Sequence, residues 1–292
     1  MANDKKLVSL TVPKLDPFFY IDKELRVILE RMENLSRKHP INILVSGKQG
    51  CGKSSLVSQF GAVYNRPTAH FQIGILSEPG QLFGEQTLKN GETSYRPYLF
   101  PEALQTPGCV IHLEEINRPE NPKALNMLYS ILAEDREIWM DELGLIKVAD
   151  NVVFFATMNE GEEYIGTEML DPALRDRFYT VLMDYIPPEV EAEVMAQKAG
   201  ISREQALEIV GIINKLRGHS QFPIDVSTRT SLMIAELVAL GTTIRDAIVY
   251  SLQTTKEHLE SILLTLHLEN GNVESKASEY ILFNRDIEKV AR

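Results

Sequence analysis

A lysine and a serine directly after a glycine, behind an apolar run and two earlier glycines, give this 292-residue chain its clearest chemistry. The stretch is Ile41 to Leu56, INILVSGKQGCGKSSL, where Gly47, Gly52, Lys53 and Ser54 fill every fixed position of GxxxxGK[ST]. That pattern binds phosphate. Glycines at 47, 50 and 52 let successive backbone N–H groups turn inward with no Cβ in the way. These groups, with those of Cys51 and of the opening helix residues Lys53, Ser54 and Ser55, meet phosphate oxygens. Lys53 would reach the β- and γ-phosphates of a nucleoside triphosphate such as ATP, and the Ser54 hydroxyl would hold the Mg²⁺ that bridges them.

Hydrolysis of such a substrate also needs acids beside the loop. Cys109 to Leu113 reads as a buried strand ending in Glu114-Glu115. Glu114 is placed to hold Mg²⁺, directly or through water, and Glu115 to orient and deprotonate the attacking water. Asn159 ends the next buried strand, Val152 to Thr157, so its amide could position that water or sense the γ-phosphate. Taken alone, a polar residue there is more often a turn former, and its case rests on its place in the set.

The elements that must carry these groups alternate. A helix is expected over Asp22 to Lys38, with Asp22 as its cap, followed by the phosphate-loop strand and a helix to about Phe60. A strand fits Thr68 to Leu76. Two short helical pieces, Leu82 to Glu85 and Phe100 to Leu104, are expected on either side of a loop around Asn90-Gly91. A helix over Asn121 to Glu134, a hairpin about Asp141 to Gly144, a short helix over Leu170 to Phe178 and a strand over Tyr179 to Tyr185 complete the alternation. Strands alternating with helices imply an α/β fold, a three-layer αβα arrangement with a parallel sheet and its site at the carboxyl ends of the strands.

At Pro187-Pro188 the pattern changes to helices alone: Val190 to Ala199, Arg203 to Leu216, Thr228 to Leu240, Thr242 to Thr254 and one more to about His267, with Gly200, Gly218 and Gly241 as stops. The division expected is a nucleotide-binding core at 1–186, with an N-terminal segment 1–40 and insertions near 77–108 and 137–148, and an all-helical lid at 187–292. Phe18, Phe19 and Tyr20 fit core packing or an adenine ring. Trp139 and Met140 fit the core or an outward face of the hairpin, which periodicity leaves open.

A net charge of −11 and a pI near 5.1 argue against nucleic acid as the main partner. No apolar run approaches the ~20 residues that cross a bilayer, and nothing after MANDKK resembles a signal core, so a cytoplasmic location is expected. The two cysteines, Cys51 and Cys109, imply no disulfide framework.

The order of phosphate loop, VIHLEEINR, FFATMNE, LDPALRDRF and STRTSL resembles the AAA+ ATPases, in particular the MoxR-like branch with its CbbQ, NorQ and GvpN groups. The resemblance spans Ile41 to Leu240. It assigns Lys53 and Ser54 to the Walker A motif, Glu114 and Glu115 to Walker B, and Asn159 to sensor 1. Arg177 matches the arginine finger that enters a neighbour's site, with Arg175 as the competing candidate, and Arg229 matches sensor 2, which reaches the γ-phosphate from the lid. One departure stands out: the first Walker B acid is usually Asp, and Glu114 is longer by a methylene.

The resemblance implies a homo-oligomer, a hexameric ring with ATP at subunit interfaces, that remodels or activates a protein client. It also implies a partner carrying a von Willebrand factor A domain, and insertions that face the pore or partner. Two other readings compete with it: a nucleic-acid motor or restriction-type translocase subunit, and a nucleotide-gated scaffold with little turnover. A GTPase is disfavoured, because no guanine-reading NKxD sequence occurs.

Overall fold

The computed structural model describes residues 10–89, 92–159, 169–217, 226–252, 254–267 and 277–284. The chain divides into two compact units. The first is Met1–Leu15, Val27–Lys48 and Lys53–Met183, and the second is Asp16–Arg26, Gln49–Gly52 and Asp184–Arg292.

In chain order, β1 (Tyr20–Asp22) runs into α1 (Lys23–Ser36). Asp22 caps that helix as expected, its Oδ1 accepting from the N–H of Glu24 at 2.8 Å and of Leu25 at 3.1 Å. Next come β2 (Ile41–Gly47), α2 (Lys53–Val63), β3 (Thr68–Gln72), β4 (Gly84–Lys89), β5 (Glu92–Pro97) and α3 (Leu99–Leu104). They are followed by β6 (Val110–Glu114), α4 (Asn126–Ile131), β7 (Glu137–Met140), β8 (Gly144–Lys147), β9 (Val153–Met158), α5 (Pro172–Arg175) and β10 (Tyr179–Met183).

Five strands form one parallel sheet in the order β10-β2-β9-β6-β3. Every residue of β9 is buried, as a central parallel strand covered on both faces requires. The register brings the carboxyl ends together: Met183 lies opposite Gly47, Ser46 opposite Met158, and Gln72 opposite Glu114. The first unit's core includes Phe83, Phe100, Leu113, Leu128 and Phe154, with α2 contributing a separate edge-on contact between Phe60 and Phe155 at 5.0 Å.

The second unit holds α6 (Pro188–Ala199), α7 (Arg203–Arg217), α8 (Thr228–Ala239), α9 (Ile244–Ser251), α10 (Lys256–His267) and β11 (Tyr280–Leu282). Its own core is built on Met195, Ile209, Ile213, Ile234 and Ile248. Gly200 ends α6 in the left-handed region (φ 73°), where glycine carries no Cβ penalty.

Four expectations change. Gly84-Glu85 is strand, not helix, because β4 and β5 pair antiparallel as a hairpin from Gly84↔Pro97 to Lys89↔Glu92. The strand after α2 stops at Gln72, short of Leu76, and the single helix expected over Asn121 to Glu134 is a 3₁₀ turn (Pro122–Leu125) followed by α4. Asp16–Arg26 and Gln49–Gly52, expected in the core, group with the helical unit, which starts at Asp184. For Asp16–Arg26 the reason is pairing: β1 runs antiparallel to β11, and Phe19 meets Phe283 at 6.3 Å. The Phe18–Tyr20 cluster therefore lies beside packed aromatic side chains. Asn90-Gly91, Gly218 and most of 268–292 lie outside the described residues.

Candidate functional site

The strand β2 ends at Gly47, and α2 begins at Lys53 with its side chain buried. Gly50 (φ 71°) and Gly52 (φ 101°) take a backbone path that side chains with a Cβ rarely follow, while Gly47 (φ 158°) is still close to extended at the end of β2. The Lys53 ammonium donates to the carbonyls of Gly47 (2.8 Å) and Lys48 (2.7 Å) and to Asn159 Oδ1 (2.7 Å). A lysine with three oxygen partners inside a phosphate-type loop is a point charge held where an anion would take over those contacts. Beside it, Ser54 Oγ donates to Glu114 Oε1 at 2.6 Å. The pair presents hard oxygen donors only, the chemistry that Mg²⁺ prefers. The greater length of Glu114 does not prevent it from meeting Ser54.

Glu115 follows in the left-handed region (φ 54°), a conformation that costs a non-glycine residue about 1–2 kcal/mol. Its carboxylate is held on both oxygens: Oε2 accepts from Gln72 Nε2 at 2.9 Å, and Oε1 faces Arg118 Nη1 at 3.6 Å. Backbone bonds secure this turn, with Ile73 N donating to Glu114 O (2.9 Å), Arg118 N to Glu115 O (3.0 Å) and Ile116 N to Thr157 O (3.1 Å). Asn117 donates from Nδ2 to the Asn159 carbonyl at 3.0 Å. The ends of β6 and β9 are thus tied to each other and, through Asn159, to Lys53.

Under α2, a row of polar groups crosses the sheet. His112 Nδ1 meets His70 Nδ1 at 2.9 Å, and His112 Nε2 meets Thr157 Oγ1 at 3.0 Å. Burial, with the neighbouring His70 adding to it, pushes the His112 pKa down to about 3, so the ring is neutral at ordinary pH. His70 is also lowered by burial, against a smaller upward pull from Glu114.

Four of the expected residues, Lys53, Ser54, Glu114 and Asn159, therefore meet directly, with Glu115 adjoining them. Ser55 is exposed on α2 and Cys51 is buried in the loop. The two candidate finger arginines differ. Arg177 is partly buried, donates to the Ala173 carbonyl and sits 5.2 Å from the Tyr129 ring, whereas Arg175 is exposed at the end of α5. Arg229 is exposed in the first turn of α8, in the second unit.

Within that unit, Gly50 of the loop lies against Ser227, the cap of α8: a Cβ at 50 would sit 2.7 Å from Ser227 Oγ and closer still to its Cβ. Sequence reasoning missed Gln72, Arg118 and Asn117. The first is hidden because the apolar residues Ile73 and Leu76 extend the strand pattern past Gln72, which the structure makes a strand end in register with Glu114.

Comparison with known proteins places these features in context. Residues 42–178 match the model of the AAA domain of the dynein-related subfamily, and residues 191–265 match that of the CbbQ/NirQ/NorQ C-terminal domain. The chain is 60% identical over 283 residues to the Thauera aromatica protein named "Putative chaperone BssE", covering 97% of this chain and 99% of that one. It is 29% identical over 210 residues to Protein NorQ of Paracoccus denitrificans, covering 70% and 76%. Among solved structures, the Thermotoga maritima RuvB Holliday junction branch migration motor shares the fold at a TM-score of 0.51 and 15% identity, over 89% of this chain and 74% of that one.

Proposed function

The chain belongs to the MoxR-like AAA+ ATPases of the CbbQ/NirQ/NorQ group, and from that premise we propose a Mg²⁺-dependent motor that hydrolyses ATP at the interfaces of a hexameric ring to remodel or activate a protein client. The observation that carries the reading is the joined set Lys53–Asn159 and Ser54–Glu114, with Glu115 next to it. In this reading Lys53 exchanges its carbonyl partners for β- and γ-phosphate oxygens, and the change is felt by Asn159, which shares its ammonium. Ser54 and Glu114 would hold Mg²⁺, which neutralises charge on the phosphates when bound. Glu115 takes the proton of the attacking water, and Gln72 and Arg118 fix where its carboxylate points.

Arg177, with Arg175 as the competitor, supplies a guanidinium to the neighbouring subunit's ATP, which makes turnover depend on assembly. Arg229 contributes a second positive charge to the γ-phosphate. Its position two residues after Ser227, which abuts Gly50, supports that role. The name of the Thauera relative supports a protein client, and the MoxR-like resemblance supports a partner with a von Willebrand factor A domain. The acidic balance supports the same side over a nucleic-acid motor, since the likeness to RuvB at 15% identity concerns the fold alone. The composition fits a cytoplasmic protein. No helix among the described residues is long and apolar enough to cross a membrane.

The test is the ATPase rate per subunit against protein concentration, beside Lys53→Ala and Arg177→Ala. A rate that rises with concentration and is abolished in both variants is expected. A concentration-independent rate that survives Arg177→Ala and also Arg175→Ala would remove the shared interface site.

A further inference from the structure

The helical unit contains a polar chain, buried at Glu191 and Ser231 and exposed at its far end, that ends on the backbone of the phosphate loop. Glu191 in α6 is fully buried and grips Arg217 at the end of α7, with Oε2 2.7 Å from Nη1 and Oε1 2.8 Å from Nη2. The Arg217 side chain is only 11% exposed. Its Nε donates to the Val226 carbonyl at 2.6 Å, and Ser231 Oγ donates to Glu191 Oε1 at 2.6 Å. Residues on both sides of the α8 cap, Ser227, are therefore tied to the same ion pair.

The Arg217 guanidinium also lies 4.4 Å from the centre of the Tyr185 ring, and the Tyr185 hydroxyl donates to the Gln49 carbonyl at 3.2 Å. One residue on, Gly50 leaves no room for a Cβ beside Ser227. All of these residues, Gln49 and Gly50 included, are in the second unit.

Two facts of geometry give this chain of contacts a consequence. A trans peptide is planar, with its C=O and N–H on opposite sides, and the chain has no cis peptides among the described residues. Holding the Gln49 oxygen toward Tyr185 therefore turns the Gly50 N–H away from Tyr185 and fixes the tilt of that peptide. A buried bidentate ion pair adds little net stability over apolar packing, but its planar guanidinium fixes the orientation of an aromatic ring stacked on it.

We propose that Tyr185, oriented by the Arg217–Glu191 pair, is a positioning residue that sets the Gln49–Gly50 peptide of the phosphate loop, so that nucleotide affinity depends on the packing of the helical unit. The proposal rests on the reading of that loop as an ATP site. It differs from the role given to Arg229, since it acts through the loop backbone rather than on the γ-phosphate.

The experiment is an equilibrium titration of the full chain with a fluorescent, non-hydrolysable ATP analogue, beside thermal melts without nucleotide. Tyr185→Phe keeps the ring over Arg217 and removes only the hydroxyl. It is expected to raise the Kd about two- to tenfold, the share of one hydrogen bond, with an unchanged nucleotide-free Tm. Arg217→Lys, which keeps a charge on Glu191 but loses the planar stack, is expected to weaken binding in the same direction.

An unchanged Kd in Tyr185→Phe would overturn the proposal, as would a weakened Kd accompanied by a lowered nucleotide-free Tm, which marks general loss of structure. Lys53→Ala in the same titration separates the two levels. If it binds as tightly as the parent, the nucleotide-site reading fails. If it does not bind while Tyr185→Phe binds normally, that reading stands and only the role of Tyr185 falls.

Discussion

Glu115 has a local structure that its residue type disfavours. It is a non-glycine residue in the left-handed region, and its carboxylate is held from two directions. Strain of this kind persists only where the surroundings over-determine it, and it clusters at sites that do work. Glu115→Gln keeps the shape and removes the proposed base. It is expected to retain ATP binding and lose hydrolysis about 10²-fold or more, and a variant with full turnover would remove Glu115 from that role.

Cys109 gives an independent check on burial at the same scale. Desolvation pushes its thiol up to about 12, against smaller opposing effects from Arg66 and a backbone hydrogen bond at Ala69. The folded state thus favours the protonated thiol, while the unfolded thiol ionises near 9. Stability is unaffected below that pH and erodes as the pH rises from about 9 towards 12. Iodoacetamide at pH 8 is accordingly expected to label Cys109 only after unfolding, as read by mass spectrometry.

At the scale of elements, the two insertions contrast in how far the sequence reveals them. The β7–β8 hairpin shows in the sequence because apolar pairs flank Asp141 to Gly144, and Gly144 takes the positive φ such a turn needs. The β4–β5 hairpin does not, because GEQTLK carries no apolar alternation and only the Asn-Gly dipeptide between the strands signals it. On β7 the pleat separates neighbours: Met140 is buried in the first unit's core, while Trp139 is 67% exposed opposite the half-exposed Leu145. Met140→Ala is therefore expected to cost about 2–5 kcal/mol in denaturant unfolding. Trp139→Ala should stay within about 0.5 kcal/mol. Reversed costs would mean that the strand register is wrong by one residue.

At the scale of the whole chain, the phosphate loop is divided: Gly47 and Lys53 belong to the sheet unit, and Gln49–Gly52 to the helical one. In the proposal made above, the packing of the helical unit acts on the loop through Tyr185 and Gln49, which both lie in that unit. Arg217→Ala would leave Glu191 buried without its charge partner. The expected cost is about 3–5 kcal/mol, visible as a lower Tm and increased hydrogen exchange in α6–α8. Preserved exchange protection there would show that Ser231 alone satisfies Glu191.

The sequence by itself determined the phosphate loop, the acids and amide at the ends of two strands, the parallel α/β fold and the change to helices near Pro187. Each of these is written in short-range pattern: fixed glycine spacing, buried apolar runs, and periodicity. It also carried the family, since five motifs in a fixed order survive without any knowledge of their contacts.

Only the tertiary structure decided that Gln72 and Arg118 hold Glu115, that Trp139 faces out and Met140 in, and that Arg177 lies over Tyr129 while Arg175 is exposed. It likewise decided that Glu191, Arg217 and Tyr185 converge on Gln49. These contacts join residues distant in the chain, and their partners are set by strand register and helix packing, to which a local pattern of residue types is blind.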